Sequence, residues 1–202
     1  MRLLRRAKSV LFNRYKILLR RIRLRLGIPV RLKFDDRRVL EQIIIPEVAK
    51  ISRRVLFVGC EYYTKHYRKL FRRSEYYTLE IDPEKARWGS PGKHVVGGLE
   101  NVRSHYAENF FDAIICNGVY GWGLDEYKMI EQAIGGCFRV LRPGGVFVFG
   151  WNDVPEHTPI PLDQIEGFLK FQDFVWPSLN SERHVCEGSL RHTFDFYTKP
   201  IK

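Results

Sequence analysis

The sequence predicts an α/β fold in which a mostly parallel β-sheet carries helices on both faces. Between residues 37 and 150, short apolar runs alternate with segments of helical periodicity, an alternation typical of βαβ units. The run at 55–58 ends at Gly59, and the run at 76–79 ends at Glu80, 21 residues after that glycine. A strand, a glycine turn, a helix and a second strand ending in an acid are typical of the first βαβ unit of a nucleotide-binding sheet.

Local signals predict the individual elements. Asp35 and Asp36 can cap a helix over 37–50, which Pro46 kinks or splits. A helix is predicted over 62–72, and its N-terminus would offer free N–H groups to an anion. Another helix, over 125–141, has one apolar face and ends before a Pro-Gly-Gly turn. Strands are predicted at 54–58, 76–80, 94–96, 110–116 and 146–149, followed by a short helix and two aromatic strands at 171–176 and 192–197.

The charge of the chain is concentrated at one end. The 202 residues are 45% hydrophobic and carry a net charge of +11, with 34 basic and 23 acidic residues. Residues 1–33 hold twelve of the basic residues and no acid, which leaves 22 basic and 23 acidic residues in the remainder. The composition predicts a globular domain over 34–202 with a basic arm over 1–33, and a near-neutral domain makes nucleic acid an unlikely partner.

The arm is predicted to form an amphipathic helix over residues 3–26. Apolar side chains recur at steps of three or four, arginines and lysines occupy the other faces, and Gly27 with Pro29 ends the helix. Such a helix suits the interface of an anionic membrane, through residues 1–26. The alternatives are packing against the domain or a protein partner, and binding of a polyanion. The arm is too charged to span a membrane and lacks a signal-peptide cleavage site.

The cysteines predict a reducing environment. Cys60, Cys116, Cys137 and Cys186 are widely spaced, and no C-x-x-C pair occurs. This spacing argues against a disulfide framework and against a metal site, so we expect neither. A cytoplasmic location follows, with peripheral attachment to the inner membrane face if the arm binds lipid. The sequence does not indicate an oligomeric state.

Four motifs in order carry a family resemblance. They are Val-Leu-Phe-Val-Gly-Cys at 55–60, Leu-Glu-Ile-Asp-Pro at 79–83, Phe-Asp-Ala-Ile-Ile-Cys-Asn at 111–117 and Val-Leu-Arg-Pro-Gly-Gly at 140–145. With them, residues 37–199 resemble the class I S-adenosylmethionine-dependent methyltransferases of the small-molecule type, with a degenerate first glycine motif. The resemblance implies a Rossmann-like fold with a seven-stranded sheet, methyl transfer as the activity and S-adenosylmethionine as the cofactor.

The resemblance also implies that the cofactor contacts the loops at the carboxyl ends of the first four strands. The residues at the matching positions are Gly59, Cys60, Glu61, Glu80, Ile81, Gly98, Leu99, Glu100, Asn117 and Gly118. Glu80 would hold the ribose hydroxyls, with Asp82 as the alternative. The residues from Gly98 to Glu100 would lie along the adenine, and Asn117 and Gly118 would face the amino acid end and the methyl group.

The first loop departs from the family pattern. Phe57 stands where the family has an acid, and Glu61 and Tyr63 replace the second and third glycines. Glu61 could bind the ammonium group of the cofactor. It would also lie near the cofactor carboxylate, an unfavourable contact unless a cation such as Lys65 or Arg68 intervenes.

The loops after the fourth and fifth predicted strands supply candidate acceptor contacts. Their candidate residues are Tyr120, Trp122, Trp151 and Asn152, which could form an acceptor pocket or favour a cation. Simple packing of the tryptophans and turn formation by the asparagines are the alternatives. Methyl transfer is an in-line displacement that requires alignment and exclusion of water, so no catalytic triad is expected. No catalytic residue is assigned, although His192 is a candidate general base.

The predicted function is S-adenosylmethionine-dependent methyl transfer to a small-molecule or lipid-linked acceptor, at a membrane surface if the arm binds lipid. The alternative is a non-catalytic binding or scaffold protein of the same fold, attached through its arm. Methylation of RNA or protein is a further alternative. The near-neutral domain and the absence of an Asn-Pro-Pro-Tyr-like motif after the fourth strand argue against a nucleic-acid base as acceptor.

Overall fold

A computed structural model describes residues 14–19, 21–23, 25–26 and 28–201. Their sheet has eight strands: β1 (Arg54–Val58), β2 (Glu75–Glu80), β3 (His94–Val96), β4 (Phe111–Asn117), β5 (Leu141–Asn152), β6 (Gln172–Asp173), β7 (Arg183–Val185) and β8 (His192–Thr198). The order is β3-β2-β1-β4-β5-β8-β6, and β7 also pairs with β8. The pairings from β3 to β5 are parallel, whereas β8 runs antiparallel to its three neighbours.

This topology confirms the predicted α/β fold and its mostly parallel sheet. The direction of strand order reverses between β1 and β4, the point at which open α/β sheets form ligand crevices. The eighth strand, β7, is the difference from the predicted seven. It is only three residues long and is defined by its pairing with β8. A segment this short shows no alternation of apolar and polar residues from which a strand could be predicted.

The predicted helix before β1 is present in three parts. α1 (Asp35–Val39) leads into a π-helical turn at Leu40–Ile44, and α2 (Ile45–Ile51) follows. The wider turn lies directly before Pro46, where a proline ring would crowd the carbonyl of a regular helix. The predicted caps are wrong: the N-cap residue is Phe34, and Asp35 and Asp36 lie in the first turn.

Helices cover both faces of the sheet, as the sequence predicts. Two further α-helices within the domain are α3 (Val102–His105) and α4 (Tyr127–Val140). On one face, Ile130 and Ile134 of α4 share a core with Ile114 and Phe147. The opposite face forms a second core, whose members include Val39, Leu40 and Ile44 from the α1–α2 segment and Phe57 and Val148 from the sheet.

The segment after β1 is not the helix that the sequence predicts. Residues 62–73 form consecutive turns around one short 3₁₀ helix, Tyr67–Lys69. Five exposed cations follow one another at mostly helical spacing: Lys65, Arg68, Lys69, Arg72 and Arg73. A regular α-helix would stack these like charges four residues apart, which destabilises it. The predicted helix N-terminus for anion binding is therefore absent from this described segment.

The described part of the arm is helical and exposed. Residues 14–19, 21–23 and 25 have helical conformation. Tyr15, Leu18, Ile22 and Leu26 of the predicted apolar stripe are between 43% and 69% exposed, so the domain does not cover them. The stripe residues before position 14 lie outside the described residues. Within the described ranges, no helix combines the length and the apolar character needed to cross a membrane.

Candidate functional site

A cavity of about 750 Å³ opens at the carboxyl ends of β1, β2 and β4. Small-molecule and cofactor sites typically span about 300–1,000 Å³. Val58, Leu79 and Gly118 line it at the strand ends, and Leu32 and Phe34 line it from the chain before α1. Residues 187–192, which lead into β8, complete the lining. The cavity thus lies at the reversal of strand order, where the fold positions a ligand.

Most of the predicted cofactor residues line this cavity. The lining members are Gly59, Glu61, Glu80, Ile81, Gly98, Leu99, Glu100 and Gly118. The other two, Cys60 and Asn117, are buried next to it and do not line it. Burial raises the pKa of the Cys60 thiol to about 12, so this thiol stays protonated and unreactive at neutral pH.

Gly59 is required by the local backbone. Its φ angle is +91°, and a Cβ atom there would lie 2.6 Å from the backbone oxygen of Asn117. A side chain would therefore separate β1 from β4 at the base of the cavity. Glu61 and Tyr63, which stand in place of the other two family glycines, both line the cavity.

Glu80 ends β2 with a buried carboxylate that faces the cavity. The backbone N–H of Cys60 donates to its Oε2 at 2.8 Å, and the N–H of Asp82 donates to its Oε1 at 3.0 Å. Each oxygen keeps a further lone pair, so the carboxylate can accept two more hydrogen bonds from a ligand. Asp82, the predicted alternative, instead caps the 3₁₀ helix Pro83–Trp88 through the N–H of Glu84.

The cation beside Glu61 is Lys85, and the prediction of Lys65 or Arg68 is wrong. Lys85 Nζ lies 3.1 Å from Glu61 Oε1. Lys65 points to the ring of Trp88, with its Nζ 5.5 Å from the ring centroid, because the turns over 62–73 orient it away. Arg68 is exposed. Lys85 lines the cavity and neutralises the carboxylate that replaces the second family glycine.

Arg37 lines the cavity, although the sequence pattern does not predict it as a site residue. Its side chain is on the buried side of α1 and the residue is only 9% exposed. The guanidinium Nε lies 3.0 Å from Asp36 Oδ2, and Cζ lies 4.9 Å from the ring centroid of Tyr63. The sequence does contain one indication of this role. Arg37 shares its helix face with the apolar residues Leu40 and Ile44, and arginine is rarely buried without a partner. It brings a buried positive charge to the cavity.

His192 joins the tips of β4, β5 and β8. Its Nδ1 lies 2.7 Å from Asn152 Oδ1, and its Nε2 lies 3.0 Å from Asn117 Oδ1. Burial, with a smaller contribution from the Arg37 charge, lowers the pKa of His192 to about 3. The ring is therefore neutral at pH 7. Because a neutral ring donates from only one nitrogen, one of the two amides presents its NH₂ group.

This lowered pKa predicts a loss of stability in acid. A histidine in the unfolded chain has a pKa near 6.5. Between that pH and about pH 3, the unfolded chain therefore binds a proton at His192 and the folded chain does not, which favours unfolding. The stabilisation is complete above pH 6.5 and decreases as pH falls. We expect a loss of about 2 kcal/mol in the free energy of unfolding between pH 7 and pH 5 from this group. Urea titrations at both pH values measure it.

The variant His192→Gln provides the control, because glutamine can still bond both asparagines and does not titrate. The difference between variant and wild type isolates His192 from His94, whose pKa burial also lowers. An equal loss of stability in both proteins between pH 7 and pH 5 would contradict the assignment.

Of the four predicted acceptor residues, Trp122 and Asn152 line the cavity. Tyr120 and Trp151 do not: the Tyr120 hydroxyl donates to the carbonyl of Ile160, and the Trp151 indole N–H donates to Asp195 Oδ2 at 2.7 Å. Successive residues of a strand face opposite sides of the sheet, so Trp151 enters the core when Asn152 reaches the site. Packing, the alternative considered for the tryptophans, thus applies to Trp151.

The entrance of the cavity has an exposed apolar rim. Trp122 is 55% exposed and stacks on His157, with ring centroids 4.1 Å apart. Phe34, Ile81 and Leu190 also line the cavity and are also exposed. Exposed apolar side chains clustered around one opening are typical of surfaces that bind apolar partners.

Comparisons with known proteins agree with this geometry. Residues 56–149 match the family described as Methyltransferase domain. The N-methyltransferase NodS from Bradyrhizobium japonicum WM9 superposes with a TM-score of 0.62 at 16% identity, over 82% of this chain and 97% of that one. A TehB-like S-adenosylmethionine-dependent methyltransferase from Corynebacterium glutamicum gives 0.56 at 17% identity, over 80% and 93%. At such identities these structures show a shared fold.

A NodS structure in complex with S-adenosyl-L-homocysteine gives a TM-score of 0.60 at 18% identity, over 82% of this chain and 87% of that one. No curated protein sequence matches the chain. The matched segment 56–149 runs from β1 to β5 and contains the motifs on which the resemblance rests. The match over 56–149 and the shared fold support the assignment of the protein as a class I S-adenosylmethionine-dependent methyltransferase.

Proposed function

We propose that this methyltransferase modifies a small-molecule or lipid-linked acceptor at an anionic membrane surface. The observation that carries the proposal is the apolar rim of Phe34, Ile81, Trp122 and Leu190 around the cavity entrance. The basic arm leads directly into this rim, since Leu32, near the end of the arm, and Phe34, directly after it, both line the cavity. An apolar entrance next to a basic amphipathic helix suits an acceptor presented by lipid.

The lining residues fit the cofactor by the chemistry of their side chains. Glu80 has two free acceptor positions for the ribose hydroxyls, and Ile81 and Leu99 offer apolar contact for the adenine. Arg37 offers a buried guanidinium to the carboxylate of the amino acid end. This arginine takes the role of the anion-binding helix that is absent after β1. When bound, S-adenosylmethionine supplies an electrophilic methyl group on a sulfonium.

The protein contributes alignment more than acid–base chemistry. His192 is a weak base because its pKa is low, and both its nitrogens are engaged by Asn117 and Asn152. These three side chains fix the tips of three strands relative to one another, which keeps the base of the site rigid. Trp122, stacked on His157, is positioned to exclude water and to pack against an acceptor.

Vesicle flotation tests the membrane part of the proposal. The chain of residues 1–202 should float with vesicles containing anionic lipid, float poorly with neutral vesicles, and lose flotation when residues 1–26 are deleted. Each Lys or Arg near an anionic surface contributes about 1 kcal/mol, so raised salt should also release the protein. A variant with Leu18→Ser and Ile22→Ser keeps every charge and removes part of the exposed stripe, so it should float less than wild type.

Two outcomes would contradict this part of the proposal. One is undiminished flotation without residues 1–26, and the other is binding of the arm to RNA with no binding to anionic vesicles. Neither outcome bears on cofactor binding, so the methyltransferase assignment is tested separately.

A non-catalytic scaffold of the same fold is the second candidate. The irregular segment 62–73 favours it, together with Glu61 and Tyr63 in place of two family glycines. A scaffold would keep the arm and its membrane binding but would bind neither S-adenosylmethionine nor its demethylated product. Titration with both compounds separates the candidates before any acceptor is known.

A further inference from the structure

Three side chains with metal-binding groups meet outside the cavity. His184 and Cys186 are two residues apart along β7 and its continuation, so they project to the same side. Asp35, at the start of α1, reaches them from the other end of the chain. One carboxylate oxygen, one ring nitrogen and the Cys186 Sγ all lie within 4.8 Å of one another.

We propose that Asp35, His184 and Cys186 bind one Zn²⁺ ion, with water as the fourth ligand. Zinc takes sulfur, nitrogen and carboxylate oxygen together, whereas calcium and magnesium prefer oxygen alone. Zinc bonds of about 2.0–2.3 Å require ligand atoms roughly 3.3–3.8 Å apart in a tetrahedron, so the three groups need to approach by about 1 Å. The site goes beyond the methyltransferase function and does not depend on it.

The chemistry of the three ligand groups suits Zn²⁺. Cys186 is buried. A bound Zn²⁺ would hold its side chain as the thiolate. With one thiolate, one carboxylate and a neutral imidazole, the ligands balance the charge of the ion.

Both carboxylate oxygens of Asp35 have partners, and one of these partners can be displaced by an ion. Its Oδ2 accepts the backbone N–H of Glu187 at 3.0 Å, which holds the carboxylate beside the residue that follows Cys186. Its Oδ1 pairs with Arg38 at 2.6 Å. The Arg38 side chain is 61% exposed, so it can move into solvent when a metal takes its place.

A metal ion at this site would fix two segments that line one side of the cavity. Residues 187–192 follow Cys186 directly and line the cavity, and α1 carries both Asp35 and the lining residue Arg37. An ion shared by Asp35 and Cys186 would tie these two parts of the lining together. The sequence predicts no metal site because 149 residues separate Asp35 from His184, and only the fold brings them together.

Metal titration of the full chain tests the proposal. After treatment with a chelator, the protein should bind one equivalent of Zn²⁺ against a competing chromogenic chelator. Co²⁺ should give the near-ultraviolet charge-transfer band of a thiolate ligand. Cys186→Ser should abolish that band, and Cys186→Ser and His184→Gln should each weaken Zn²⁺ binding by at least about 100-fold. His105→Gln, at an exposed histidine, is the control and should bind as wild type does.

Hydrogen–deuterium exchange gives a second readout that needs no variant. Zn²⁺ should slow exchange over residues 186–192 and leave β1 and β4 unchanged. Failure to bind one equivalent of Zn²⁺ would overturn the proposal. So would Zn²⁺ binding that Cys186→Ser and His184→Gln leave unchanged in proteins with wild-type circular dichroism.

Discussion

Glu80→Gln is expected to weaken binding of S-adenosylhomocysteine by about 100-fold, or about 2.7 kcal/mol. The Glu80 carboxylate already accepts the N–H groups of Cys60 and Asp82, and its remaining acceptor positions face the cavity. Glutamine has the same size but only one acceptor oxygen. Its NH₂ group would oppose either a backbone N–H or a ribose hydroxyl, and hydrogen bonds to charged groups contribute about 1.5–3 kcal/mol each.

The matched control for this variant is Glu84→Gln, which removes the same charge from an exposed position four residues away. Glu84→Gln should bind S-adenosylhomocysteine as wild type does. Glu80→Gln should also lower the free energy of unfolding by about 1–3 kcal/mol, because its backbone partners lose a charged acceptor. Binding is therefore compared under conditions in which circular dichroism shows both variants folded. Wild-type affinity in folded Glu80→Gln would remove the ribose assignment.

Arg37→Met is expected to weaken S-adenosylhomocysteine binding by about 30-fold. The guanidinium is buried at the cavity beside Asp36 and Tyr63, and a charge-assisted pair with a carboxylate contributes about 2 kcal/mol. Methionine keeps the length and apolar stem of the side chain while it removes the charge. Calorimetry measures the change in affinity.

A second ligand separates the two ends of the site. 5′-Methylthioadenosine retains the nucleoside and sulfur and lacks the amino acid, so its affinity should change less than about twofold in Arg37→Met and should fall strongly in Glu80→Gln. Arg38→Met, the control, removes an exposed charge from the next position and should affect neither ligand. Equal losses for both ligands in Arg37→Met would show that Arg37 does not act on the carboxylate.

The sequence was most informative where a strand ends in a functional residue. The apolar runs before Gly59 and Glu80 predict both strands and the position of both residues at one sheet edge, and the structure agrees. The alternation of side chains along a strand also explains why Trp151 does not line the cavity as predicted. The sequence predicts a strand at 146–149 followed by a loop that brings both Trp151 and Asn152 to the site. In the structure both residues belong to β5, and adjacent strand residues face opposite sides.

Other features depend on contacts between distant parts of the chain, which local patterns do not encode. Arg37 lines the cavity on α1, which contacts the segment before β8: the N–H of Glu187 donates to Asp35 across 152 residues. The helix predicted over 62–72 is wrong for a reason that is visible in the local sequence. Its like charges at helical spacing oppose the helix, and the burial of Tyr67 and Phe71 stabilises the turns instead.

The most direct test of the methyltransferase assignment is calorimetric titration of the wild-type chain with S-adenosylmethionine and S-adenosylhomocysteine. We expect each to bind with one-to-one stoichiometry and a dissociation constant in the micromolar range. Absence of binding to both compounds at millimolar concentration would contradict the enzyme assignment. It would favour a scaffold in which the altered loop at Gly59 and Glu61 has lost the cofactor.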